Sequence, residues 1–298
     1  MAYAGEIASL ATALCWASNS VFFTLAGRRV GSQTVNGGRL FVALGMLILV
    51  HRLAFGAWFP FHAGAQRMVP LAISGLIGFA LGDGLLFEAF LLLGARVAML
   101  LMTLSPVFSV LLAWVFLGQT LSWAKIAAIA ATLAGIAWVV GWGTGGELNE
   151  RPKHWVLGVL LGAGGAMGQS IGLLLSERGM SGGFNTISAN LIRVLAGTLA
   201  ISVWFILRGN FLDYAARMKD LRASGFIFIG ALTGPVIGVG LSLYAITHTS
   251  MGVAATLMSL SPVILLPISI GVFRERVSPV AWAGTALSIV GAVGLFWV

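Results

Sequence analysis

Two carboxylates stand inside an otherwise apolar run, Asp83 and Glu88 in Gly82-Asp83-Gly84-Leu85-Leu86-Phe87-Glu88. On insertion scales an acid at mid-bilayer costs about 2.5–3.5 kcal/mol, so such a residue faces a cavity or a partner. Either one could receive a substrate amine or pass a proton. The competing reading for both is a salt bridge with Arg39 or Arg96, or a place at the membrane interface. Arg39 and Arg193 are cations at or inside apolar runs. A guanidinium takes a carboxylate bidentately. It also snorkels to headgroups or pairs with an acid of the fold, and the recurrence of Arg39 and Arg193 at related places favours that structural role.

Amides and aromatics complete the inventory. Trp16 and Asn19 are three residues apart and share a helix face, and Gln169 and Ser170 hold a similar place in a later run. Amides there either bond to neighbouring helices or line a polar cavity. Tyr244 occupies the slot that Glu88 fills in the first part of the chain, and His248, four residues on, falls near a run end. Phe87, Met102 and Met258 are candidates to hold an apolar part of a substrate. Ser105-Pro106 and Ser261-Pro262 interrupt two further runs. Proline inside a helix removes a backbone hydrogen bond and kinks it. These two sites are therefore expected to bend, with carbonyls freed near Met102 and Met258, either as moving hinges or as static kinks satisfied by the serines.

Several chemistries have no motif here. There is no Gly-Lys-Ser/Thr phosphate loop, no His-Glu-x-x-His and no cysteine cluster. No cofactor and no metal site are expected. His51, His62, His154 and His248 are scattered, Cys15 is the single cysteine, and no serine–histidine–acid signature is present.

The elements that must position these groups are membrane helices. Of 298 residues 59% are hydrophobic and 9% charged, with mean hydropathy +1.00. Soluble domains carry roughly 25% charged residues, so this surface must face lipid. The net charge of +8 belongs to topology-setting loops rather than to nucleic-acid binding. Runs of roughly 20 apolar residues begin near Gly5, Thr34, Met68, Ala95, Trp123, Trp155, Phe184, Ala223, Met251 and Pro279. An all-α integral membrane protein of ten spans is expected. Its first run lacks a basic leader and a clear cleavage site and reads as a retained helix rather than a signal peptide.

The chain divides at a polar linker, 143–154, into 1–142 and 155–298. Val97-Ala98-Met99-Leu100-Leu101-Met102-Thr103-Leu104-Ser105-Pro106-Val107 aligns without gaps on Val253-Ala254-Ala255-Thr256-Leu257-Met258-Ser259-Leu260-Ser261-Pro262-Val263. The same offset pairs Gly82 with Gly238, Gly84 with Gly240, Ser122 with Ser278 and Gly135 with Gly291. Five helices per half would insert the second half upside down, an inverted repeat of the kind secondary transporters use around a midplane site. Small residues four apart (Gly78 and Gly82; Gly234 and Gly238; Gly164, Gly168 and Gly172; Ala127, Ala131 and Gly135; Gly284, Ser288 and Ala292) predict close helix packing, within the monomer or, for the last run of each half, at a homodimer seam. Lysines and arginines favour the loops after odd-numbered runs, which by the positive-inside rule puts both termini outside.

These residues carry a resemblance. Leu104-Ser105-Pro106-Val107-Phe108 followed by Phe116-Leu117-Gly118-Gln119-Thr120-Leu121, Leu260-Ser261-Pro262-Val263 followed by Phe273-Arg274-Glu275-Arg276-Val277, and Trp16 ahead of Arg39-Leu40-Phe41 together resemble the EamA-type branch of the drug/metabolite transporter superfamily. The resemblance covers nearly the whole chain. Gln119 stands where the family has glutamate, and the basic-residue tally disagrees with the family's cytoplasmic termini. The resemblance implies a secondary transporter of a bacterial inner membrane, and the amino-acid exporters of the YddG type share this size and helix count. The function expected is export of amino acids or similar small metabolites by alternating access through a central cavity, with protons as a candidate coupling ion. A multidrug, nucleotide-sugar or other metabolite carrier of the same fold is the alternative, ahead of a channel or a lipid-modifying enzyme.

Overall fold

A computed structural model describes residues 3–117, 122–142, 154–249, 251–274, 277–295 and 297. Among the described residues every regular element is a helix. Eight helices are long and apolar enough to cross a membrane: α1 (Ala4–Val30), α2 (Ser32–Phe55), α3 (Ala65–Leu93), α4 (Ala95–Phe116), α5 (Trp123–Gly141), α6 (Trp155–Gly179), α7 (Thr186–Leu207) and α8 (Leu221–Ser242). Two shorter apolar helices follow, α9 (Ser261–Phe273) and α10 (Pro279–Gly294). The ninth expected run is divided, because Met251–Met258 stops before α9 begins. The tenth has proline at its first turn and spans 16 residues. The linker stretch 143–153, Gln119 and Glu275 lie outside the described residues.

Local chemistry sets the ends. A single glycine, Gly31 with φ +87°, separates α1 from α2, and Gly94 with φ +81° separates α3 from α4. Positive φ is open to glycine without steric penalty. Asn185, Asp220 and Ser278 accept backbone N–H groups at the starts of α7, α8 and α10, as N-cap residues do.

The two prolines expected to kink helices act differently. The helix stops before each and a new one starts: Ala95–Leu101 then Leu104–Leu117, and Met251–Met258 then Ser261–Phe273. Pro106 and Pro262 sit in a first turn, where a missing N–H leaves no intrahelical bond unmade. The carbonyls expected to be freed are engaged. Met102 O accepts the Ser105 N–H at 2.9 Å, and Met258 O accepts the Ser261 hydroxyl at 2.7 Å. Ser105 is also tied across to α6, through its hydroxyl to Ser170 Oγ at 3.0 Å and through its carbonyl to the same hydroxyl at 2.7 Å.

Glycines bring helices together. A Cβ on Gly168 would lie 2.8 Å from Gly82 Cα, and one on Gly172 3.2 Å from Gly78 Cα, so α6 and α3 cross almost backbone to backbone. Cβ atoms on Gly135 and Gly291 would collide with the backbone N of Ser288 and of Thr132. The small-residue seam of α5 and α10 is thus used inside the chain, one helix against the other. At one end of the bundle Arg29 pairs with Asp220 at 2.8 Å, Arg28 lies over Phe273 at 4.9 Å, and Arg217 donates to Val30 O at 3.2 Å. Several basic loop residues are therefore held by protein groups. At another, Thr249 donates to Glu6 at 2.9 Å, joining the start of α1 to the end of the helix that continues α8.

Candidate functional site

Among the described residues, two segments inside spanning helices depart from α-helical winding. Leu76–Gly82 in α3 and Leu232–Gly238 in α8 are π-helical. The offset that aligns Val97 with Val253 carries one segment onto the other. A π turn loosens the carbonyl ladder and recurs at functional sites. Here polar side chains of neighbouring helices take up the loosened carbonyls. Asn36 on α2 donates to Ala80 O at 3.0 Å, and Asn190 on α7 donates to Pro235 O at 2.9 Å.

Asp83 is the first residue after the π segment of α3 and is 7% exposed. Its Oδ2 pairs with Arg39 Nη2, and its Oδ1 accepts from the Gln169 amide. Arg39, 3% exposed, also donates from Nε and Nη2 to Asn36 Oδ1 at 3.1 and 3.0 Å, and from Nη2 to Phe79 O at 3.3 Å. Phe87, Phe79 and Phe23 surround its guanidinium at 4.8, 5.7 and 5.9 Å. Arg193 on α7 lies over the Phe79 ring at 4.6 Å, so that ring carries both guanidiniums. Residues before and after the central linker build one buried site.

The predicted residues distribute around it. Asp83, Phe87 and Gln169 meet in the cluster. Of the two readings of Asp83, the pair with Arg39 is the one formed. Trp16 and Asn19 lie against the other π segment, with the Gly238 and Gly234 Cβ positions 3.3 Å from Trp16 Nε1 and 2.5 Å from Asn19 Nδ2. Trp16 and Met102 pack on the apolar cluster that contains Phe87, and Trp16 also packs on the one that contains Met258. Glu88 stands apart. It accepts from the hydroxyl of Ser32, the first residue of α2, and is partly exposed. Tyr244 also stands apart, 46% exposed and stacked on His248 at 3.8 Å. Ser105, Pro106, Ser261 and Pro262 mark the two helix breaks.

Asn36 and Asn190 escaped the sequence reading. Their signal is a repeated Asn-x-x-Arg, Asn36-Gly37-Gly38-Arg39 and Asn190-Leu191-Ile192-Arg193, which puts amide and guanidinium on one helix face. Two surface hollows, of about 510 and 630 Å³, lie elsewhere; Ala134, Trp138 and Val280 line one, Gln66, Val69 and Arg178 the other. Neither hollow is lined by Arg39, Asp83, Gln169 or Arg193.

Comparison with known proteins agrees with this architecture. The EamA-like transporter family matches residues 3–141 and again 156–297. An uncharacterized inner membrane transporter of Escherichia coli K12, YedA, is 23% identical over 286 residues, 92% of this chain and 85% of the relative. A probable terminal-alkyne amino-acid exporter of Streptantibioticus cattleyicolor is 26% identical over 229 residues, 77% of this chain and 73% of the relative. One solved crystal structure overlays on 97% of this chain and 95% of its own, with TM-score 0.59 at 18% identity, a shared fold.

Proposed function

The chain belongs to the EamA-like transporter family, and we propose that it is a secondary carrier exporting amino acids, aromatic and hydrophobic ones first, or similar small metabolites. In this reading ten spans form two inverted five-helix repeats, 1–142 and 155–298, in the inner membrane of a bacterium. Substrate passes through a central cavity between the repeats by alternating access.

One observation carries the proposal. The Arg39–Asp83–Gln169 network joins both parts of the chain through charged groups buried beside a π segment. Charges in a bundle interior mark substrate and ion pathways, and such a cross-linked centre is where rocking halves would have to separate. The helix breaks at Ser105-Pro106 and Ser261-Pro262 serve as hinges, because each proline lacks the N–H that would tie its turn to the one before. Trp16, Phe87, Met102, Met258 and Tyr244 hold the apolar part of the substrate, and Asn19 and Gln169 line the polar part of the cavity. Glu88, partly exposed and hydrogen-bonded to a single hydroxyl, exchanges the coupling proton. The name of the Streptantibioticus relative supports the substrate class.

Uptake of labelled amino acids into liposomes carrying the purified protein, with and without a pH gradient, tests the reading. Saturable uptake with counterflow, cis-inhibited by aromatic or branched amino acids, is the expected result. No uptake above protein-free liposomes for any amino acid sinks the substrate class and turns the search to drugs and sugar conjugates.

A further inference from the structure

Arg39 and Arg193 hold equivalent places in the repeated Asn-x-x-Arg, yet their surroundings differ. Arg39 has a carboxylate, an amide oxygen and a backbone carbonyl as partners. Arg193 is also buried, 9% exposed, and its Nε has no hydrogen-bond partner among the described residues. The repeat explains the difference. Asp83, the acid that serves Arg39, is replaced by Val239 in the second half. Asp83 bonds to Arg39 and Gln169, and no hydrogen bond or ion pair joins it to Arg193 among the described residues.

The central cluster is therefore short of one negative charge. An amine would add to the excess and would have to displace Arg39 from Asp83. A carboxylate removes the excess. The stacking of Arg193 on Phe79 at 4.6 Å occupies a face of the guanidinium and leaves its N–H edge for hydrogen bonding. Gly78, which has no side chain to intervene, lies beside Nη2. A guanidinium edge is the shape that a carboxylate meets with two parallel bonds.

We propose that Arg193 binds the carboxylate of the transported molecule, so that the substrates are organic acids, amino acids included, and the amine is not the group by which they are captured. This rests on the transporter reading above and specifies which end of the substrate the site recognises.

The test is thermal stabilisation of the purified protein by four probes: phenylalanine, N-acetylphenylalanine, 3-phenylpropionate and phenylalaninamide. Wild type should be stabilised by the three acids and not by the amide. Arg193→Gln should weaken the acids by tenfold or more, in line with about 1.5–3 kcal/mol for a hydrogen bond to a charged group. Arg193→Lys, which keeps the charge and guards against a misfolded glutamine variant, should retain part of the affinity. Binding by N-acetylphenylalanine and phenylpropionate with no phenylalanine uptake into liposomes would sink the amino-acid reading and keep this one. Phenylalaninamide binding as tightly as phenylalanine overturns the inference while leaving transport intact. Stabilisation by chloride that none of the acids can displace, or by no probe at all, also overturns it.

Discussion

Asn190 donates its side-chain amide to the carbonyl of Pro235 at 2.9 Å, one helix stapling the π segment of another. Asn36 does the same for Ala80 at 3.0 Å in the first part of the chain. A buried carbonyl left without its donor costs about 1–3 kcal/mol. Asn190→Leu and Asn36→Leu should each destabilise by an amount of that order, read as a lowered thermal midpoint in detergent. A midpoint unchanged in both would show that the π segments hold themselves.

The Arg39–Asp83 pair is buried on both sides. Removing Asp83 leaves the buried guanidiniums without an acid, a loss of about 3–5 kcal/mol in buried pairs. Asp83→Asn should therefore destabilise strongly, Arg39→Gln should cost less because Arg193 remains in the cluster, and the double variant should recover part of the Asp83→Asn loss. Such non-additivity is the signature of direct coupling. Additive losses would mean that the two residues act separately.

The α5–α10 seam has no room for a side chain. Gly135→Leu should abolish the monodisperse folded species on size-exclusion chromatography, because its Cβ would strike the Ser288 backbone. Gly45→Ala is the matched control. Nothing lies within 4 Å of that Cβ position, and alanine is the better helix former by about 1 kcal/mol.

Asp220 caps α8. Its carboxyl is held below the usual carboxylate range, first by the backbone N–H of Ala223 and then by the Arg29 side chain. A depressed folded pKa contributes stability above the unfolded value of about 3.9, which is lost as pH falls through the lower folded value. Asp220→Asn keeps a capping oxygen and has no proton to take up. Its midpoint should therefore depend less on pH than that of wild type as pH falls below about 4. Parallel curves would rule the linkage out.

Glu88→Gln should retain substrate uptake into liposomes and lose its response to a pH gradient. Uptake that keeps the full response assigns proton coupling to some other group.

The apolar runs, the internal repeat and the paired glycines were legible in the sequence, because lipid demands about 20 apolar residues per span and close packing demands small side chains at helical spacing. Both requirements are local and leave periodic marks. Pro106 and Pro262 marked where the helices are disturbed, but a residue type does not state whether a helix bends or restarts. Asp83 was found by its charge, but which of its two readings held depended on a guanidinium 44 positions away and on Gln169, 86 positions away. Glu88, with the same type and a neighbouring place, found a hydroxyl at a hairpin instead. Arg39 and Arg193 hold the same place in a repeated motif; only the tertiary structure showed that Arg39 meets an acid while the Nε of Arg193 has no hydrogen-bond partner among the described residues. Sequence marks a charge that must be balanced in a low-dielectric interior, while the partner that balances it is set by how distant helices cross.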